Sequence, residues 1–144
     1  MTWNTINEPI LYAEGGPIFG MIASGAIYKG QALSVAGDME VHQASSVDDA
    51  FIGVAQYDAT DNKYVTILGP GNVVRMLGMP GASGAVGDDV MCSGSEGKFS
   101  NLGLGVGAKI GVLLQPQSSN RASFSSNVAY KASNLLDVAL VKLA

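Results

Sequence analysis

A strand pattern bounded by glycines occurs twice in this chain, and this duplication constrains the fold more than any other sequence feature. In the first half Gly30 opens an apolar stretch, and Phe51-Ile52-Gly53-Val54-Ala55 follows further along. In the second half Gly87 opens a similar stretch, and Lys109-Ile110-Gly111-Val112-Leu113 follows. Strand-like runs at 63–68 and 136–141 end the two halves. Because no reactive side chain recurs with the repeat, the pattern predicts a scaffold of short β-strands rather than a catalytic cleft.

The composition also favours an all-β chain with a true core. With 144 residues, 47% of them hydrophobic and 14% charged, the chain is long enough to form one globular domain. Its 19 glycines are costly inside helices and useful at turns, bulges and close backbone approaches. We therefore predict an all-β fold, built as a small barrel or sandwich with turns at short intervals.

The charge pattern excludes several partners. The formal net charge is -4, and the eight lysines and arginines are scattered, so we expect no nucleic-acid partner. No apolar run approaches the roughly 20 residues of a bilayer span, and the first residues do not resemble a signal peptide, so we expect no membrane partner and synthesis as a soluble intracellular product. The low charge density favours a protein that buries surface against other subunits.

The chain divides into an arm and a domain. Residues 1–24 are predicted as an N-terminal arm, because their large apolar residues are irregularly spaced and Gly15-Gly16-Pro17 breaks any regular structure. We expect this arm to pack on its own domain or on a neighbouring subunit, since such side chains are unfavourable in water. Residues 25–144 are predicted as the β-barrel domain with its internal repeat. A stretch rich in Ser, Asn and Gln at 115–133 is predicted as an insertion loop.

Local patterns predict individual strands. Residues 39–44 largely alternate apolar and polar side chains, as in a half-buried strand. Two apolar runs, 64–68 and 72–77, flank Gly69-Pro70-Gly71 and are predicted to form a hairpin. The apolar run at 134–144 is predicted to close the barrel.

Few residues could support catalysis. His42 is the only histidine, so the chain has too few histidines for a histidine metal cluster and only one candidate base for a Ser/His/Asp triad. Its polar position in an alternating strand indicates a solvent-facing or interface histidine. The lone Cys92 cannot form an intramolecular disulfide and is interpreted as a small, half-buried thiol. We predict no catalytic residue and no enzymatic activity.

Three glycine-rich or acidic motifs resemble ligand sites only superficially. The run at 103–107 lacks the helix that a dinucleotide fingerprint requires. The turn containing Asp58, Thr60, Asp61 and Asn62 lacks the glycine and glutamate of a calcium loop, which favours an ordinary Asx turn. The pairs Asp48-Asp49 and Asp88-Asp89 point to opposite faces if extended, which prevents a shared-proton dyad.

A carrier-domain interpretation of Gly87-Asp88-Asp89-Val90 also fails. Lipoyl and biotinyl carriers modify a lysine at an exposed hairpin tip, and no lysine here stands in such a turn with the methionine or alanine neighbours of that motif. We therefore expect no cofactor and no metal ion.

The apolar strands and turn glycines resemble a known family of viral proteins. The matching segments are Ile27 to Leu33, Val41 to Ala44, Phe51 to Ala55, Val65 to Ile67, Gly71, Gly87 to Val90, Gly97 and Ile110 to Val112. Together they are similar to the small capsid-decoration, or cement, proteins of tailed phages. The resemblance covers roughly residues 20–114 and the final strand.

The resemblance implies a β-tulip-like barrel that assembles as a homotrimer on the outside of an icosahedral capsid. Such a protein is located on the virion, bridges neighbouring major capsid protein subunits and stabilises the shell. The N-terminal arm would then reach along the shell or into the next subunit.

The expected contact residues are therefore the large apolar residues of the arm. They are Trp3, Ile6, Ile10, Leu11 and Tyr12, with Phe19 and Ile22 as extensions. The alternative hypothesis is a head-fibre base or adhesin, in which the 115–133 loop contacts a host surface or glycan.

Overall fold

Every secondary-structure element in the described ranges is a β-strand. The computed structural model describes residues 9–44, 50–77, 87, 89–92, 99–101, 109–115 and 138–144. In chain order the strands are β1 (Leu11–Ala13), β2 (Ile18–Ala23), β3 (Ala32–Gly37), β4 (Glu40–Gln43), β5 (Phe51–Ala55), β6 (Tyr64–Leu68), β7 (Val73–Leu77), β8 (Asp89–Cys92), β9 (Phe99–Asn101), β10 (Lys109–Gln115) and β11 (Val138–Leu143). The prediction of an all-β fold is confirmed.

The strands form two sheets. β2, β4, β3, β5 and β6 are hydrogen-bonded in that order and close into a barrel. β1, β7, β11, β10, β8 and β9 form an open six-stranded sheet. Neighbouring strands are antiparallel except β2 and β4, which are parallel. The predicted small barrel is therefore present, and the open sheet is a second layer that the sequence interpretation did not include.

Side-chain alternation across the barrel wall produces two cores. The barrel interior holds Met21, Ala23, Ile27, Leu33, Val41, Ala55, Ala59, Val65 and Ile67. A second cluster joins the outside of the barrel to one face of the open sheet, and contains Ile10, Ala32, Ala44, Val54, Leu68, Val74, Met76, Val90, Ile110, Leu113, Val141 and Leu143. Because neighbouring residues of β3 and β5 face opposite cores, the barrel wall is buried on both sides where it meets the sheet.

The described part of the predicted N-terminal arm is built into both sheets. β1 pairs with β7, and the backbone N–H of Arg75 donates to the carbonyl of Ile10 at 2.8 Å. β2 pairs with β6 on one side and with β4 on the other. The barrel therefore starts at β2 rather than at residue 25, because β2 is needed to close it.

Two strand-pairing predictions are wrong. β6 belongs to the barrel and β7 to the open sheet, so the runs on either side of Gly69-Pro70-Gly71 do not form a hairpin. β11 lies between β7 and β10, so the final strand does not close the barrel, and β6 closes it by pairing with β2. Turn residues reverse or bend the chain, but they do not determine which sheet the next strand joins.

A single corner carries two adjacent chain segments from the barrel to the sheet. β1 leads into β2, and β6 leads into β7. The pair β2–β6 in the barrel is therefore connected through the corner to the pair β1–β7 in the open sheet. At the corner a Cβ on Gly16 would lie 1.8 Å from the carbonyl oxygen of Pro70, and one on Gly15 would lie 2.6 Å from that of Gly71. Gly71 also has a φ of +99°. Only glycine permits the two backbones to approach so closely.

The two halves of the chain have the same strand topology. Read from β4, the barrel order is β4, β3, β5, β6 and β2. Read from β9, the sheet order is β9, β8, β10, β11 and β7. Each half therefore places five successive strands in the same spatial order. The halves differ at one edge, where β2 pairs with β4 to close the barrel and β7 pairs with β1 instead.

Candidate functional site

The structure divides the predicted contact residues between core and surface. Trp3 and Ile6 lie outside the described residues. Ile10 is fully buried between barrel and sheet, and Leu11 packs against the same cluster. Phe19 packs against the interior cluster of the barrel. Ile10 is therefore part of the domain core rather than exposed to a partner, whereas Leu11 and Phe19 are half-buried against the two clusters.

Tyr12 and Ile22 do reach the surface. Tyr12 is exposed, and the guanidinium carbon of Arg75 lies 5.4 Å from the centre of its ring, within range of a cation–π contact. Ile22 is half-buried on the outer face of β2, opposite Tyr64 in the register. Tyr12 belongs to the open sheet and Ile22 to the barrel.

An apolar surface runs along β2 on the outside of the barrel. Ile18 and Ile22 share this face because they are four residues apart in one strand. The backbone of Met39 lies beside Ile22, whose N–H donates to its carbonyl at 3.0 Å. We call the exposed apolar surface of Ile18, Ile22 and Met39 the barrel patch.

Met39 is the least expected member of the barrel patch. Its side chain is exposed and its φ is +58°. Such a backbone conformation is uncommon for a bulky residue and belongs more often to glycine or asparagine. The sequence interpretation missed both Ile18 and Met39, although a methionine in the Gly37-Asp38 turn is a detectable signal, because turns seldom favour a large apolar residue.

A groove opens next to the barrel patch. It has a volume of about 440 Å³ and is lined by Ala26, Ile27, Tyr28, Asp58, Ala59, Thr60, Lys63 and Tyr64. We call it the Tyr64 groove. Its polar lining side chains, Asp58, Thr60 and Lys63, are exposed residues of the loop between β5 and β6.

The Tyr64 ring packs over a glycine of the neighbouring strand β2. A Cβ added to Gly20 would lie 2.6 Å from Cε2 of Tyr64, so the ring lies directly over this glycine. Gly20 pairs with Thr66 and Ile22 with Tyr64, which makes Gly20 and Tyr64 diagonal neighbours on one face. Glycine in a strand leaves backbone uncovered, and an aromatic ring from the adjacent strand covers it.

Backbone hydrogen bonds hold the floor of the groove. Ile27 and Ala59 exchange N–H to carbonyl bonds of 2.8 and 2.9 Å. The N–H of Lys29 donates to Oδ1 of Asp58 at 2.8 Å, and the N–H of Gly25 donates to Oδ1 of Asp61 at 2.7 Å. The two carboxylates therefore tie this loop to residues 25–29 through long-range bonds, whereas the sequence predicted a local Asx turn.

The remaining candidate residues do not converge on a reaction centre. His42 is half-buried, with Nδ1 2.9 Å from the carbonyl oxygen of Gln43. Asp89 forms an exposed ion pair with Lys109 at 3.2 Å. Cys92 lies on β8, at the register position opposite Phe99. Within the described ranges no group of three or more His, Cys, Asp or Glu residues could hold a metal ion, and no helix is long and apolar enough to cross a membrane.

Several sequence motifs lie outside the described residues. They are the acidic residues at 48, 49 and 88, the glycine run at 103–107, and the predicted insertion loop after residue 115.

The fold of this chain is found in a phage head protein. No protein-family model and no curated protein matches the sequence. Among solved structures, the chain is similar to the head fiber gp8.5 N base of bacteriophage phi29, with a TM-score of 0.56 and 14% sequence identity. The match covers 89% of this chain and 93% of that chain. At this identity the likeness shows that the two chains share a fold.

Proposed function

We propose that this protein is a structural component of a phage head that attaches to the outer surface of the capsid. The observation that carries the proposal is the fold shared with a head fiber base over nearly the full length of both chains. The described side chains are consistent with a binding role. The side chains of Asn72, Asp58 and Asp61 hydrogen-bond to backbone groups and so stabilise loops of the fold. On this proposal the protein acts by binding and catalyses no reaction.

The partner that this proposal requires is the major capsid protein. The barrel patch is the surface proposed for the contact, since exposed apolar side chains on a rigid strand provide contact area at low entropic cost. A homotrimer would engage three capsid subunits at once, and this avidity allows each contact to be modest.

Two versions of the function share this attachment. In the first, the protein is a decoration protein that bridges capsid subunits and stabilises the shell. In the second, it is the base of a head fibre, and the likeness to the head fiber N base favours this version. The two differ in whether binding strengthens the particle.

A matched pair of substitutions tests the attachment. Ile18 and Leu114 are both 41% exposed, but Ile18 belongs to the barrel patch and Leu114 lies on β10 of the open sheet. Capsids of the parent phage assembled without this protein are mixed with each variant, and bound protein is measured by co-sedimentation. We expect Ile18→Glu to weaken binding at least about tenfold, because it places a charge in a desolvated contact, and Leu114→Glu to bind normally.

The result also separates the alternatives. Failure of the wild-type protein to bind capsids would contradict the proposed function, and loss of binding in Leu114→Glu alone would move the contact to the open sheet. Heating decorated and bare particles then distinguishes the versions. A higher temperature of DNA release indicates bridging, and an unchanged temperature with full binding indicates a fibre base.

A further inference from the structure

We propose that the Tyr64 groove is a binding site for a neutral saccharide. The groove adjoins the barrel patch, because Tyr64 pairs with Ile22 and its ring lies over Gly20, but no residue of the barrel patch lines it. The groove volume of about 440 Å³ falls in the range of roughly 300–1,000 Å³ that is typical of small-molecule sites.

The aromatic lining matches the shape of a sugar ring. A pyranose presents a face of C–H groups, which packs against the electron-rich face of an aromatic ring. Tyr64 is 72% exposed, yet its ring is held over Gly20. A large aromatic surface that is both exposed and fixed in place is pre-organised for stacking, since little side-chain entropy remains to be lost. Tyr28 supplies a second ring in the lining.

The polar lining matches the rim of hydroxyls around such a ring. Asp58 accepts hydrogen bonds, Lys63 donates them, and the hydroxyl of Thr60 does both. Asp58 is already oriented, because its Oδ1 accepts the N–H of Lys29. Within the described residues its other oxygen makes no hydrogen bond, so it remains available to a ligand.

The charge of the groove selects a neutral ligand. One carboxylate and one ammonium group line it, and their charges cancel. A phosphate or nucleic acid would require clustered cations, and a cationic ligand would require an excess of carboxylates.

The backbone of the groove disfavours an extended peptide as the occupant. Peptides commonly bind by adding a strand to a free sheet edge. In the floor of the groove Ile27 and Ala59 already bond to each other, and the barrel wall is closed. Recognition must therefore come from side chains.

An NMR titration resolved by backbone amide tests the inference. The probes are three neutral saccharides, cellotetraose, maltotetraose and chitotetraose, with tetragalacturonate as the anionic comparator and decaproline as the aromatic-groove peptide. We expect at least one neutral saccharide to give saturable shifts at residues 25–30 and 57–64, with a Kd in about the millimolar range. Tetragalacturonate and decaproline should bind more weakly at these residues.

Two tyrosines provide a matched control. Tyr57 is 60% exposed in the same loop as the groove but does not line it. We expect Tyr64→Ala to weaken saccharide binding roughly three- to tenfold, and Tyr57→Ala and Tyr64→Phe to leave it within about twofold. If Tyr64→Ala does not fold, Lys63→Ala replaces it, because this exposed side chain can be removed without uncovering Gly20.

Three results would overturn the inference. The first is the absence of saturable shifts with all three neutral saccharides. The second is equal or tighter binding of tetragalacturonate or decaproline at the same residues. The third is an equal loss of affinity in Tyr57→Ala and Tyr64→Ala. None of these results decides capsid attachment, which is tested separately by the Ile18→Glu substitution and capsid co-sedimentation.

Discussion

At the scale of single residues, Asn72 explains how the barrel and the open sheet are joined. The N–H groups of Gly15 and Gly16 donate to its Oδ1 at 2.9 and 3.1 Å. Its Nδ2 donates to the carbonyls of Pro17 and Gly69, each at 3.0 Å. The side chain is fully buried, and its acceptor and donor groups are both used. One amide therefore bonds to four backbone groups at the corner, and it supplies the acceptor for the N–H groups of Gly15 and Gly16.

Removal of this amide should destabilise the fold. In Asn72→Ala, the N–H groups of Gly15 and Gly16 lose this acceptor, whereas the carbonyls of Pro17 and Gly69 keep backbone N–H donors. We therefore expect the free energy of unfolding to fall by about 2 kcal/mol. Asn72→Asp should be at least as harmful, because a carboxylate cannot donate to the two carbonyls and would repel them. Urea unfolding followed by circular dichroism measures both variants.

Asn62 provides the control for this substitution. It is exposed, and its φ of +66° suits glycine, so Asn62→Gly should change stability by no more than about 0.5 kcal/mol. Equal stability of Asn72→Ala and Asn62→Gly would contradict the assigned role of Asn72.

The sequence identifies Asn72 only as a residue next to a turn. Its partners Gly15 and Gly16 are far away in the chain, and nothing local indicates that the two glycine-proline segments meet. The same limit applies to Ile10 and Phe19. Their apolar character predicts burial, but whether against the same chain or a neighbour depends on long-range pairing, which periodicity does not encode.

At the scale of elements, the hairpin of β3 and β4 holds Met39 in an unfavourable backbone conformation. Residues held in sparsely populated backbone regions cluster at functional sites, where the local cost is offset by the rest of the fold. Met39 is also the exposed apolar end of the barrel patch. Stability and the proposed capsid binding should therefore respond to its replacement in opposite directions.

Asparagine at this position tests the trade-off. Asn tolerates a positive φ, so Met39→Asn should raise the free energy of unfolding by about 0.5–1 kcal/mol while it weakens binding to capsids. Met39→Leu keeps both the apolar surface and the strain, and should change neither property appreciably. Thermal unfolding and capsid co-sedimentation measure the two effects. A stabilised Met39→Asn that binds as tightly as the wild type would remove Met39 from the contact.

Strands were more predictable than their pairing. The alternation at 39–44 and the β-branched run at 64–68 correspond to β4 and β6, because side-chain period is a local property. The predicted hairpin after β6 failed because the Gly69-Pro70-Gly71 turn changes sheets. The barrel patch was missed for the same reason, since Ile18 and Met39 belong to segments that meet only when β2 pairs with the end of the β3–β4 hairpin.

At the scale of the whole molecule, the duplication in the sequence has a counterpart in the backbone. Gly30 and Gly87 have φ values of +89° and +95°. The N–H of Gly30 donates to the carbonyl of Ala55 at 2.9 Å, and that of Gly87 donates to the carbonyl of Leu113 at 2.8 Å. These pairs occupy matching positions in the two sequence repeats. The halves therefore share specific hydrogen bonds as well as strand order.

The open sheet does not close into a second barrel because β1, rather than β9, pairs with the outer edge of β7. In the barrel the edge of β2 is covered by β4, whereas the equivalent edge of β7 is covered by β1. A free edge of a sheet invites aggregation, so β1 protects β7 without closing a second barrel. The sheet can then remain open enough to lie against the barrel and share one core with it.

Two equivalent glycines test whether the duplication constrains packing in both halves. A Cβ on Gly53 would lie 2.5 Å from the carbonyl oxygen of Leu68, and one on Gly111 would lie 2.6 Å from that of Lys142. Both contacts are with the backbone of the next strand, which cannot move aside as a side chain can. We therefore expect Gly53→Ala and Gly111→Ala to lower the free energy of unfolding by similar amounts, about 1–3 kcal/mol each.

Gly37→Ala is the matched control, because its Cβ would meet only the flexible side chain of Glu40, at 3.2 Å. This variant should stay within about 0.5 kcal/mol of the wild type in the same urea titration. A large loss in Gly53→Ala with none in Gly111→Ala would mean that the repeat conserves strand order but not the close approach between strands. Similar losses in both, with Gly37→Ala unaffected, would show that one packing constraint holds each half together.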